Sequence, residues 1–247
     1  MYRIIILTLF FIWGCGSNIE YPERIPDIIS VGLKNEVKSS SISNFYIYPD
    51  TLSTPQMISI HEYNRDGFQT SIKNFVNSEM EFLMNFELDE NNYIQAYVIY
   101  DEKNEEIDRQ QFDANYQKEQ CLSPESNDGK SKRIQFEKGR LHSVENLRNG
   151  NVSKLTTHSY NEEGLIVKTT TEWLLKNKKR EQVSSHNKEG FIIKTETISY
   201  EDGERSDPSI ILKFKDFEVD EQGNWIKRTI YDDDGVLRIE QRKIVYY

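Results

Sequence analysis

Histidine is scarce in this sequence, and the patterns missing around it exclude most chemistry. The four histidines, His61, His142, His158 and His186, form no HExxH or related zinc pattern. There is no GxSxG elbow and no glycine-rich phosphate loop. No metal, no cofactor and no catalytic set is therefore expected, and the protein is read as a non-enzyme. Positive charge is short as well: 31 Lys and Arg stand against 41 Asp and Glu, a formal net charge of -10. That balance repels nucleic acid and anionic headgroups and leaves a cationic partner open. The densest carboxylate cluster, Asp232-Asp233-Asp234, lacks the spaced ligands and distal Glu of a calcium loop and is read as a solvent-facing turn.

A long apolar run is also missing. The stretch from Ile4 to Trp13 is ten residues, half of the roughly 20 that cross a bilayer as a helix. Preceded by Arg3 and followed by Gly14-Cys15-Gly16-Ser17, it reads as a secretory signal over residues 1–14. Ile12-Trp13-Gly14-Cys15 resembles the lipobox of bacterial lipoproteins. The resemblance implies cleavage before Cys15, acylation of that cysteine, and residence in the cell envelope, with the outer membrane as the expected address. Its acyl chains give more than one hydrophobic anchor, enough for stable residence, so the membrane is the first expected partner. The same reading leaves Cys121 as a lone thiol, without an intramolecular disulfide and tolerated in a loop.

Residues 15–43 are polar, carry Pro22, Pro26 and Ser39-Ser40-Ser41, and show no sustained period, so a flexible tether is expected there. From residue 44 to 247 a cadence takes over. Turn signals recur at Asp66-Gly67, Asn77-Ser78, Asn91-Asn92 and Asn104-Glu105, then at Gly139, Gly150, Gly164, Asn177, Gly190, Gly203, Gly223 and Gly235. Between them side chains alternate, as in Met80-Glu81-Phe82-Leu83-Met84-Asn85-Phe86-Glu87-Leu88, and period two means strands. The fold class is all-β: an antiparallel meander of about fourteen strands forming an extended or curled repeat sheet. A strandless interval near Gln120 to Ser131, with Pro124 and Gly129, suggests a subdivision near 113–131. Charge on alternate and intervening positions of Val236 to Val245 argues for a water-facing sheet rather than a membrane barrel.

A finer signature overlies the turns: an aromatic or apolar residue, Asp or Asn, two mostly polar residues, then Gly or Asn. It spans Tyr63 to Gly67, Tyr160 to Gly164, His186 to Gly190 and Tyr231-Asp232-Asp233-Asp234-Gly235, with weaker copies at Leu88, Tyr100 and Val219-Asp220-Glu221-Gln222-Gly223. The Asx side chain can bond backbone amides along the turn, and Gly supplies positive φ. These copies look like the Tyr-Asp repeats of RHS-type proteins, and Gly223-Asn224-Trp225-Ile226-Lys227-Arg228 is similar to the GNW-x-x-R ending of YD-containing bacterial lipoproteins. The resemblance implies a repeat sheet, here too short for a closed shell, and says little of activity. The leading expectation is a non-enzymatic envelope lipoprotein whose sheet is a scaffold or binding surface for an envelope protein or glycan. An immunity-like lipoprotein that neutralises a toxin is the alternative, and an envelope-polymer hydrolase the third.

Overall fold

A computed structural model describes residues 24–46, 55–115, 119–126 and 128–247, save the side chain of Asp207. Cys15 and residues 1–14, read from the sequence as a signal, lie outside the described residues. The chain is all-β, with one helical turn, α1 (Asp27–Ser30), ahead of the strands. The first strands are β1 (Val37–Tyr46), β2 (Met57–Tyr63), β3 (Gln69–Val76), β4 (Glu79–Leu88), β5 (Ile94–Tyr100) and β6 (Glu106–Gln111). Short β7 (Asp113–Asn115) and β8 (Gln120–Leu122) come next, then β9 (Lys130–Glu137), β10 (Arg140–Arg148), β11 (Asn151–Tyr160) and β12 (Ile166–Trp173). The last are β13 (Lys178–His186), β14 (Ile192–Glu201), β15 (Glu204–Val219), β16 (Trp225–Asp232) and β17 (Gly235–Tyr246).

Sequential strands pair antiparallel, as a meander must when its turns are short. The ring then closes. β1 pairs with β2 on one side and with β17 on the other, in a ladder from Val37↔Tyr246 to Tyr46↔Arg238. On the far side, β6 pairs with β5, and its continuation past Phe112, β7, pairs with β8. The result is one nearly closed barrel.

Several expectations need correction. Among the described residues there are seventeen strands where about fourteen are expected, because β1 and the short β7 and β8 carry no clear alternation. The interval near 120 to 131 is not strandless: β8 joins β7 to β9, so one sheet runs through the suggested subdivision. Of the extended and curled alternatives the curled one is observed, the sheet being nearly closed into a barrel. Residues 24–43, assigned to the tether, belong to the fold, with Val37 1% exposed and β1 completing the ring. Polar composition misled there, because the inward face of β1, with Ser40 and Ile42 on the polar cavity and buried Asn44, is itself largely polar.

Cys121 sits on β8 rather than in a loop. It is fully buried against Tyr93, Tyr97, Phe112, Ile134 and Phe136, the apolar cluster filling one side of the barrel. Tyr93 meets Phe136 edge-on at 5.1 Å. Burial pushes the thiol up to about 11, so the reactive thiolate is scarce at neutral pH. Cys121 should resist a thiol reagent at pH 8 in the native protein and react fully once unfolded, as peptide mapping would report; rapid native labelling would contradict this packing.

Candidate functional site

The two rims of the barrel are built differently. At one, two-residue turns with positive φ join the strands, as at Asn77-Ser78 (50° and 70°) and Asp202-Gly203 (52° and 83°); this is the mirror-image turn whose twist matches paired strands. At the other rim five loops share a wider geometry. In the first, the Phe68 amide donates to Asn64 Oδ1 at 2.9 Å and the Gly67 amide to the Asn64 carbonyl at 3.0 Å. Asp89, Asn161, Asn187 and Asp220 repeat the side-chain bond, each accepting from the amide four residues on at 2.8 to 2.9 Å. Gly67, Gly164, Gly190 and Gly223 supply the left-handed residue, and Asn92 takes that place in the second loop at φ 61°.

The side chain immediately after the left-handed residue sets the role of each loop. Phe68, Tyr93, Leu165, Phe191 and Asn224 are all buried, pointing into the mouth of the barrel. The sixth such loop, at Asp101, sits on the opposite rim and has exposed Glu105 in that place. Of these residues the sequence pattern marks only Asn224, although the character of the position separates the two rims.

Residues 24–36 cross the loop rim as a plug. The Ile25 amide donates to Gly139 O at 2.8 Å, and the Ile28 amide to Gly67 O at 3.2 Å. A Cβ on Gly67 would lie 2.8 Å from Ile28, so that loop must present bare backbone to α1. Arg24 is the buried anchor. Its Nη2 pairs with Asp27 at 2.8 Å, its Nη1 donates to Asn92 O at 2.5 Å, and its guanidinium lies over the Phe68 and Phe136 rings. Asp27 Oδ2 also accepts the Gln69 amide at 2.9 Å. At the other end the Asn224 side chain accepts the Lys34 amide at 2.8 Å and donates to the Lys34 carbonyl and to Tyr246 Oη.

Beneath the plug the interior divides by polarity. Next to the apolar cluster is a cavity of about 240 Å3 lined largely by Phe86, Leu88, Ile94, Leu141, Tyr160 and Ile166. It shares Ser30, Val31, His61, Tyr63 and Ile166 with a second cavity of about 290 Å3 on the polar side, so the two adjoin. The polar side holds Arg228, Glu240 and Arg242. Glu240 accepts from Arg228 at 2.7 Å and from Arg238 at 3.0 Å. Trp225 carries both arginines, Arg228 at 4.1 Å and Arg242 at 3.7 Å from its ring. Burial, reinforced by repulsion from Arg228, pulls Arg242 down to about 9.

Three interior histidines are held neutral by burial: His61, His158 and His186 all lie below 6.5. An unfolded chain takes up protons near pH 6 that the folded chain refuses, so their contribution to stability is complete above about pH 6.5 and is lost as pH falls. Melting temperature should hold between pH 8 and 7 and decline below about 6.5. A rise in stability from pH 7 to 5.5 would contradict neutral burial.

The expected motif residues divide by place. Tyr63 and Tyr160 face the apolar cavity and Gly164 lies at its edge, while Trp225 lines the polar one. Gly190, Asp220, Gly223 and Asn224 lie in rim loops, Asn224 fastening the plug. Tyr231, Asp232 and Gly235 are not brought together with them. They flank a two-residue turn at Asp233-Asp234 on the opposite rim, and Tyr231 Oη donates outward to Asp216 at 2.8 Å. Among the described residues no three His, Cys, Asp or Glu side chains converge as metal ligands.

No protein-family model matches this chain, and no curated protein matches it in sequence. Solved structures do. A porin-like protein from Bacteroides uniformis aligns over 86% of this chain and 98% of its own, at 10% identity and a TM-score of 0.51. A porin-like protein from Bacteroides vulgatus aligns over 85% and 98%, at 8% identity and a TM-score of 0.36. A Tc holotoxin pore from Photorhabdus luminescens covers 81% of this chain with 11% of its own, at 12% identity and a TM-score of 0.36. With the first of these, the chain shares its fold.

Proposed function

We propose that this is a non-enzymatic lipoprotein of the cell envelope, anchored through acylated Cys15, whose plugged barrel is held against the membrane as a binding module. The observation that carries this is the plug. The segment entering the fold at Arg24 begins nine residues after Cys15 and closes the loop rim. Nine residues span at most about 30 Å, so the anchor holds the loop rim near the bilayer and leaves the opposite rim outward.

The outer wall suits water. Lys168, Lys179 and Glu181 alternate with cavity-lining Thr169 and Gln182; Glu181 pairs with Lys168 across the strands at 3.0 Å and with Lys179 along its own strand at 2.9 Å, outside the barrel. Lys194 and Glu196 flank buried Thr195 in the same way. Hydrocarbon contact would need apolar residues there.

The Ser59 and His61 pair supports a binding rather than a hydrolytic role. Ser59 Oγ lies 3.1 Å from His61 Nε2, but Gln69 Nε2 donates to Nδ1 at 2.6 Å and the Ser59 hydroxyl donates to Asn74 Oδ1 at 2.7 Å. The imidazole therefore gives its proton to the serine rather than taking one, the reverse of a general base.

The test is Cys15→Ser in the native host. The parent protein is expected in the membrane fraction, labelled by radioactive palmitate, and the variant in neither state. Label retained by the variant, or parent protein without lipid, would overturn the anchoring.

A further inference from the structure

We infer that the barrel interior is a binding site for a medium-chain carboxylate, its headgroup at Arg242 and its tail in the cavity beneath α1. This goes beyond membrane anchoring and does not rest on it.

The headgroup end is set by an unmatched charge. Among the described residues Arg242 makes no ion pair, and its Nε and Nη1 are buried without hydrogen-bond partners. It lines the 290 Å3 cavity, enclosed by the wall and stacked on Trp225. Arg228 and Arg238 each bond Glu240, the carboxylate of this group, which leaves the polar side with an excess of positive charge. The surrounding groups, among them Ser40, Gln182, Ser184 and neutral His186, can donate or accept hydrogen bonds but bring no negative charge. A buried guanidinium left without a counterion is unfavourable, and an anion in the cavity removes the deficit. Arg242 is the arginine of this group without a hydrogen-bonded carboxylate, and a single carboxylate in the cavity would answer it.

The tail end is set by the adjoining space. The 240 Å3 cavity abuts the polar one at His61, Tyr63 and Ile166 and is walled mainly by Phe86, Leu88, Ile94 and Leu141. A dry cavity of roughly 150 Å3 holds a six-carbon benzene, so this one takes a chain of about eight to ten carbons. The Arg24 and Asp27 pair at its rim is neutral overall. Arg140, which also lines this space, makes no ion pair among the described residues and lies beside Gly164 at the rim, 5.6 Å from the Tyr160 ring.

Residues 16–247 contain the whole described fold and suit calorimetric titration with decanoate, acetate, decanol and decyl phosphate. Decanoate should bind one to one, with acetate silent and decyl phosphate weaker. Arg242→Met, which keeps a long stem on Trp225, should weaken decanoate at least tenfold, since a hydrogen bond to a charged group contributes about 1.5–3 kcal/mol, and leave decanol unchanged. Should that variant fail to fold, Phe86→Trp reads the tail end, because filling the cavity should abolish decanoate binding while Arg242 is intact. No saturable heat with decanoate, unchanged affinity in both variants, or tighter binding of decyl phosphate would each overturn the assignment.

Discussion

Asp27→Ala should lower the melting temperature by about 10 °C. The substitution strands Arg24, whose side chain is 3% exposed and which keeps only the Asn92 carbonyl as acceptor. Breaking a buried pair by removing one partner costs about 3–5 kcal/mol, and in a chain of this size each kcal/mol moves the melting point by roughly 2–4 °C. The Gln69 amide loses its acceptor at the same time. The decisive comparison is the double variant Arg24→Met with Asp27→Ala. With no charge left to strand, and a methionine able to fill the space between Phe68 and Phe136, it should recover most of the loss. A double variant as unstable as the single would show that the charge pair is not what seats the plug.

Trp225→Ala should cost a similar amount, about 3–5 kcal/mol, for two reasons. It empties a site where the indole is 4% exposed, and large-to-small changes in packed interiors carry that magnitude. It also removes the ring on which Arg228 and Arg242 rest, leaving two cations facing each other across a void. The second effect has its own signature. Added sulfate should stabilise the alanine variant more than the parent, because an anion can occupy the gap, and Trp225→Phe should lose less than half as much. Equal salt dependence in variant and parent would mean that the ring packs without separating charge.

These two sites show how far the sequence alone could be read. Period-two alternation and the spacing of Gly and Asn placed most hairpins, because both signals are local: a side chain's face and a turn's φ depend on a few neighbouring residues. Closure was not legible, since the β1 to β17 ladder joins Val37 to Tyr246 with nothing nearby to announce it. The plug was missed for a related reason. Its apolar residues, Ile28 and Leu33, obey no period because they pack onto loops rather than along a sheet. In β17 both faces carry charge, so alternation separated Arg238, Glu240 and Arg242 from Lys243 without showing which set was enclosed. The work of the Gly223 to Arg228 stretch was not legible either: Asn224 ties down the plug, and Trp225 stacks on Arg228, with Arg242 completing the group from β17.

Energy transfer from the two rims to the bilayer tests membrane anchoring at the loop rim most directly. Single labels at Glu163→Cys on the loop rim and Asp233→Cys on the opposite rim, with Cys121 buried and Cys15 acylated, would report distance to acceptor lipids in vesicles holding the lipidated protein. Ten-residue strands such as β11 separate the rims by roughly 30 Å before tilt, enough to resolve them. Strong transfer from position 163 and weak transfer from position 233 is the expected result. Equal transfer from both positions, or the reverse order, would contradict a barrel held to the membrane by its plugged rim.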